Sequence, residues 1–153
     1  MIRRAAVTDL ILETFSLNGR LLAWGDALVA DLGLTSARWQ VLGAIALSQA
    51  SLPVAHIARN MGLTRQAVRR LVNEMEADGL VRLAPNPHHQ RARLVLLTGR
   101  GQAAYDAAMQ RYAPWASSLA EGLRVKEIES AASVLRNIRQ HLDDSAQQED
   151  DDA

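Results

Sequence analysis

The chain of 153 residues contains no cysteine, which excludes disulfides, thiolate metal sites, a cysteine nucleophile and thiol-based redox sensing. Aromatic residues make up only 4%, and Lys126 is the only lysine, so arginine carries nearly all the positive charge. No run of about 18 uncharged apolar residues occurs, so no transmembrane helix is expected. The opening MIRRAAVTDLILETF has two arginines, but Asp9 and Glu13 interrupt its apolar stretch and no small-residue cleavage site follows. A signal peptide is therefore not expected, and the cytoplasm is the expected compartment. No Ser/His/Asp arrangement, paired catalytic carboxylates or Gly-rich phosphate loop is visible, so neither enzymatic activity nor a cofactor is expected.

What is present is an ordinary globular composition, 48% hydrophobic and 22% charged, long enough for one domain or two small cooperating units. Seventeen cations balance 17 anions, yet the balance is uneven along the chain. Arg59, Arg65, Arg69, Arg70, Arg82, Arg91, Arg93 and Arg100 face only Glu74, Glu76 and Asp78 between residues 51 and 100. From 143 onward there are acids and no cation: Asp143, Asp144, Glu149, Asp150, Asp151 and Asp152. A basic middle third points to a polyanionic partner, and the neutral total does not argue against one.

Helical spacing of apolar residues predicts a first helix over 8–31, with Thr8 as its N-cap and Gly33 ending it. A second helix follows Thr35, and a third begins near Pro53 and stops at Gly62. Thr64 caps a fourth, TRQAVRRLVNEMEADG, ended by Gly79. On that helix Ala67, Val68, Leu71, Val72 and Met75 share one arc. Arg65, Gln66, Arg69 and Asn73 occupy the adjoining arc, with Arg70 beside them.

After Gly79, LVRLA and RARLVLL flank the turn PNPHHQ and predict a hairpin. A helix restarts at Thr98, where Pro114 is expected to kink or break it. The last helix, about 125–142, spaces Ile128, Ala131, Leu135, Ile138 and Leu142 like a short coiled-coil seam. The acidic remainder has nothing to bury and is expected to be disordered. The terminal helices carry more apolar stripe than a small central unit covers, so a second copy of the chain is the expected cover.

A short helix, a tight turn at Gly62-Leu63-Thr64, an amphipathic helix and a hairpin make a winged helix-turn-helix. In that arrangement Arg65, Gln66 and Arg69 stand near the end that enters the major groove of double-stranded DNA. Arginine bonds guanine O6 and N7 there, and Gln66 or Asn73 bonds adenine. The α-helix N-terminus and the Thr64 hydroxyl favour a phosphate. Arg91 on the wing reaches the minor groove, and Arg93 or Arg82 meets the phosphate backbone.

From Leu34 to Thr98 the chain resembles the MarR family of bacterial transcription regulators. LTSARWQVL is similar to that family's second helix, LPVAHIARNMGLTRQAVRRLVNEMEADGLV to its helix-turn-helix, and PNPHHQRARLVLLTGRG to its wing. The resemblance implies an α+β, mainly α fold: an N-terminal dimerisation helix (1–34), the winged domain (35–99) and C-terminal dimerisation helices (100–142), before the acidic tail (143–153). It also implies a homodimer that represses genes at a pseudo-palindromic operator and is released by a small aromatic or amphipathic effector. Phe15, Arg20, Trp24 and Trp39 are then expected to line the effector cleft, with Arg20 facing an acidic ligand. The wing departs from the family's usual Asp-Pro-x-Asp-Arg-Arg, reading Asn86-Pro87-His88-His89-Gln90-Arg91, so Arg91 keeps its place while an acid and an arginine are replaced.

The rival class is a winged-helix module whose basic face binds an acidic protein. His88 and His89 suggest metal, but adjacent side chains diverge on an extended loop and no other ligands converge, so none is expected. His56 and His141 are isolated.

Overall fold

A computed structural model describes residues 1–48 and 50–151. Two compact units divide the chain, Met1–Ala113 and Pro114–Ala153. The first begins with α1 (Ile2–Val29), a 3-10 turn (Ala30–Leu32) and α2 (Ser36–Ser48). A two-residue strand β1 (Leu52–Pro53), α3 (Val54–Met61) and α4 (Arg65–Ala77) follow, then β2 (Val81–Ala84) and β3 (Leu94–Leu97). The helix α5 (Gly99–Ala120) runs from the first unit into the second, which also holds α6 (Val125–Asp151).

Val41, Leu42, Ile57, Val68, Val72, Met75, Val81 and Val95 are fully buried, so α2, α3, α4 and the sheet share one core. The sheet is antiparallel in the order β1-β3-β2. Leu83 and Leu52 both pair with Val95, and Ala84 pairs with Leu94. The expected hairpin is thus present, with a third strand that two residues of extended chain were too short to announce.

Two joints hold the helices around this core. At the first, Ser36 enters α2 against α1: its hydroxyl donates to the Leu22 carbonyl at 2.7 Å, and Asp26 Oδ1 accepts its N–H at 2.6 Å. At the second, the Thr98 hydroxyl lies 2.7 Å from the Gly79 carbonyl oxygen, and Thr98 Oγ1 accepts the Gly101 N–H at 2.9 Å. Gly101 is required there, because a Cβ would collide with the Leu80 carbonyl oxygen. The start of α5 is therefore fixed against the end of α4.

Four expectations need correction. The first helix begins at Ile2, and Thr8 lies inside it with its hydroxyl donating to the Arg4 carbonyl at 2.9 Å. No breaker precedes Thr8, so local back-bonding replaces capping. Pro53 belongs to β1 and caps α3 rather than opening it. Pro114 does not break α5, which is helical on both sides of it. α6 continues past residue 142 to Asp151, because no glycine or proline after Gly122 stops it. The expected disorder of the tail is therefore not seen over 143–151, and Asp152 and Ala153 lie outside the described residues.

Among the described residues no helix is long and apolar enough to cross a membrane. The apolar faces of the terminal helices stay uncovered: Phe15 on α1 is 71% exposed and Leu142 on α6 is 66% exposed.

Candidate nucleic-acid interface

The turn between α3 and α4 is built from three local features. Gly62 takes a left-handed conformation (φ 66°), and its N–H donates to the Arg59 carbonyl while that of Leu63 donates to Ala58 at 3.0 Å. Thr64 is extended, and its Oγ1 accepts the Ala67 N–H at 3.1 Å, capping α4. Val68, Val72 and Met75 then dock α4 in the core. That docking turns the remaining arc outward, and Thr64, Arg65, Gln66, Arg69, Arg70 and Asn73 are all exposed.

The wing loop is held without the acid that the resemblance led one to expect. Asn86 Oδ1 accepts the His88 N–H at 3.0 Å, its carbonyl accepts the His89 N–H at 3.2 Å, and the His89 carbonyl accepts that of Ala92 at 3.2 Å. An Asx turn followed by a second tight turn thus shapes residues 86–92. Arg93 Nη2 lies 3.5 Å from the Leu83 carbonyl oxygen across the hairpin.

These pieces enclose a cleft of about 470 Å³ between α4 and the wing. Arg65, Arg69 and Asn73 line it from α4, and His89, Arg91 and Arg93 line it from the wing. Among the described residues no carboxylate lines it, so the cleft presents four guanidinium groups to an approaching anion. Thr64, Gln66 and Arg70 lie outside the cleft on the same exposed side of α4. Glu74, which the helical angle places within reach of Arg70, instead stands 3.9 Å from the Arg38 guanidinium. His89 was not singled out by the sequence, since nothing in PNPHHQ says which histidine turns inward.

The expected effector set does not come together. A second cavity of about 650 Å³ opens beside α2 and α5, lined by Trp39, Ala44, Met61, Tyr105, Met109 and Tyr112 among others. Trp39 and Tyr112 meet edge to face, with ring centroids 5.6 Å apart and planes at 73°. Phe15, Arg20 and Trp24 do not line this cavity. Phe15 is on the uncovered part of α1, and Arg20 Nη1 donates to the Ser16 carbonyl at 3.0 Å and to its hydroxyl. The sequence signal for this cavity is Tyr105, Met109 and Tyr112, spaced by four and three on one face of α5. Arg111, beside them, anchors this helix by donating to the Leu28 carbonyl at 2.9 Å and to Asp31. Its guanidinium holds the Asp31 carboxyl below the usual aspartate range.

Among the described residues no group of three His, Asp or Glu side chains converges as a metal site.

The model of the MarR family matches residues 32–92. An uncharacterised protein of Mycobacterium tuberculosis (strain H37Rv) is 32% identical over 132 residues, spanning 86% of this chain and 91% of the relative. The fold is similar to that of the regulator MosR of M. tuberculosis in complex with DNA (20% identity, TM-score 0.72, 88% of this chain and 96% of the other). It is also similar to CouR of Rhodococcus jostii RHA1 bound to p-coumaroyl-CoA (23% identity, TM-score 0.73, 81% and 87%).

Proposed function

The chain belongs to the MarR family of transcription regulators, and from that premise we propose how it acts: as a homodimer reading a pseudo-palindromic operator in the cytoplasm, and as a repressor where that operator overlaps a promoter. The observation that carries this is the cleft in which Arg65, Arg69 and Asn73 of α4 face Arg91 and Arg93 of the wing. The first half of α4 enters the major groove, where Arg65 and Arg69 fork onto guanine and Gln66 and Asn73 read adenine. The wing crosses the sugar-phosphate backbone, placing Arg91 in the minor groove and Arg93 on phosphate. The Thr64 hydroxyl, accepting from Ala67 within the cap, still has its proton to donate to a phosphate. Arg70, on the flank of the same face, adds a backbone contact.

Dimerisation supplies the second half-site. The uncovered apolar faces of α1 and α6 are those a second copy would bury, and a two-fold dimer sets the half-sites about one helical turn apart.

The cavity beside Trp39 is the effector site in this proposal. No charged side chain lines it, so an ionised carboxylate would lose hydration without gaining a partner. It suits a planar, uncharged aromatic molecule. Phenol should therefore change the tryptophan fluorescence where benzoate does not, and equal responses would remove the selectivity argued here.

The test of the main proposal is fluorescence anisotropy on the duplex upstream of the chain's own gene, across a salt series, with scrambled duplex as competitor. Binding that survives the competitor and weakens steeply with salt is expected. Equal, weak binding to duplexes selected genome-wide and to scrambled DNA would instead favour an acidic protein as the partner of the basic face.

A further inference from the structure

α4 is polarised in a way that DNA contact alone does not explain. Its cations lie in the first half, while Glu74, Glu76 and the capping residue Asp78 crowd the other end, where no basic residue occupies the last turn. Negative charge there opposes the helix dipole. Each of these carboxylates has a partner from elsewhere in the fold. Asp78 Oδ2 accepts from Arg38 Nη1 at 2.7 Å, and Glu74 Oε2 lies 3.9 Å from Arg38 Nη2. Glu76 Oε1 accepts the Leu83 N–H of β2 at 3.2 Å.

Arg38 stands in the first turn of α2 and is largely covered, its side chain 19% exposed. Its Nη1 also lies 3.4 Å from the Gly33 carbonyl oxygen, so both ends of the connection are tied. Glu74 and Asp78 are four residues apart and share one face of α4. A contact held off the helix axis resists rotation of α4 about that axis, and one planar guanidinium reaching both carboxylates along the face adds resistance to tilt. Rotation matters because a base-reading tip lies about 8 Å from the axis, so a turn of about 10° moves it by more than about 1 Å. A hydrogen bond does not survive that displacement with good geometry.

We propose that Arg38 is a positioning residue for DNA recognition: from α2 it clamps Glu74 and Asp78 and so sets the angle at which Arg65, Gln66 and Arg69 meet the bases. It touches no DNA itself. This rests on the DNA-reading face described above.

The test uses full-length protein and two duplexes, one enriched from random sequence by the wild type and one scrambled. Arg38→Met should weaken binding to the enriched duplex about tenfold, the order of one misplaced bidentate base contact. Binding to the scrambled duplex should change less than about twofold, and the salt slope should stay as it was, since no phosphate contact is lost. Arg38→Lys should recover part of the loss, and Asp78→Asn should add little on the Arg38→Met background. The thermal midpoint should move by only a few degrees, as expected for a partly exposed pair. Parallel loss on both duplexes with a shallower salt slope would make Arg38 a phosphate contact and overturn the proposal. So would unchanged discrimination in Arg38→Met. A wild type that yields no preferred duplex would overturn the DNA-reading face itself, and the role of Arg38 with it.

Discussion

The winged segment and the terminal helices have similar shares of apolar residues but treat them in opposite ways. Between Leu34 and Val95, Leu42, Ile57, Val72 and Met75 vanish into a core built mainly by α2, α3, α4 and three short strands, to which α1 adds Val29 and α5 adds Ala108. On α1 and α6, Leu12, Phe15, Leu135 and Leu142 remain in view at the same helical spacing that elsewhere means burial. Periodicity therefore marks a face that must be covered, and it is silent about whether the cover comes from the same chain. The winged segment finds its cover within one chain, whereas on α1 only the end that meets α2 is buried, at Gly25 and Val29.

The largest expected effect sharpens that contrast. Leu42→Ala should cost about 2–5 kcal/mol of unfolding free energy by chemical denaturation, the price of a cavity in a closed core. Leu142→Ala should cost under about 0.5 kcal/mol at protein concentrations where the chain is monomeric. Equal losses would mean that α6 is as well covered within the chain as α2.

Next, Leu12→Glu with Phe15→Glu should yield monomers by sedimentation while the helical circular dichroism is retained. Binding to a two-half-site duplex should fall about 100-fold as the linked second site is lost. A persistent dimer would move the interface off α1.

A smaller effect is expected within the winged segment. Arg91→Ala should weaken DNA binding by about 1–3 kcal/mol in anisotropy titrations. An unchanged affinity at moderate salt would remove the wing from the interface, whatever the cleft suggests.

The smallest concerns the tie between the end of α1 and α5. Arg111 holds the Asp31 carboxyl below its ordinary range, so the pair contributes stability above the unfolded aspartate range. That contribution is lost as pH falls through the lowered folded value. Thermal midpoints of wild type and Arg111→Met should differ slightly at pH 6 and converge on acidification. A gap that widens in acid would contradict the sign.

Much of the basic face of α4 could be seen in the linear chain. The arc of Val68, Val72 and Met75, the cap at Thr64 and the glycine at 62 are local features with a helical period or a fixed turn geometry. The hairpin was equally plain. β1 was not, because two residues display no period and acquire strand character only by pairing with β3. Nor was the start of α1, where the absence of any breaker outweighed a plausible cap at Thr8. The cavity beside Trp39 was hidden for a related reason: it is closed by α5, whose Tyr105 and Tyr112 line it beside Trp39, while Phe15, Arg20 and Trp24 do not line it.

The linear sequence alone determined the helical periods, the caps, the hairpin turn and the segregation of arginine from acid along α4. All of these act within a few residues, where backbone geometry links spacing to direction. Only the tertiary structure decided which faces are covered, that His89 joins Arg65 and Arg69 in one cleft, and that Arg38 grips the far end of α4. Arg38 and Asp78 are forty positions apart. No periodicity spans such a gap, because the chain between them is free to turn until the core forms.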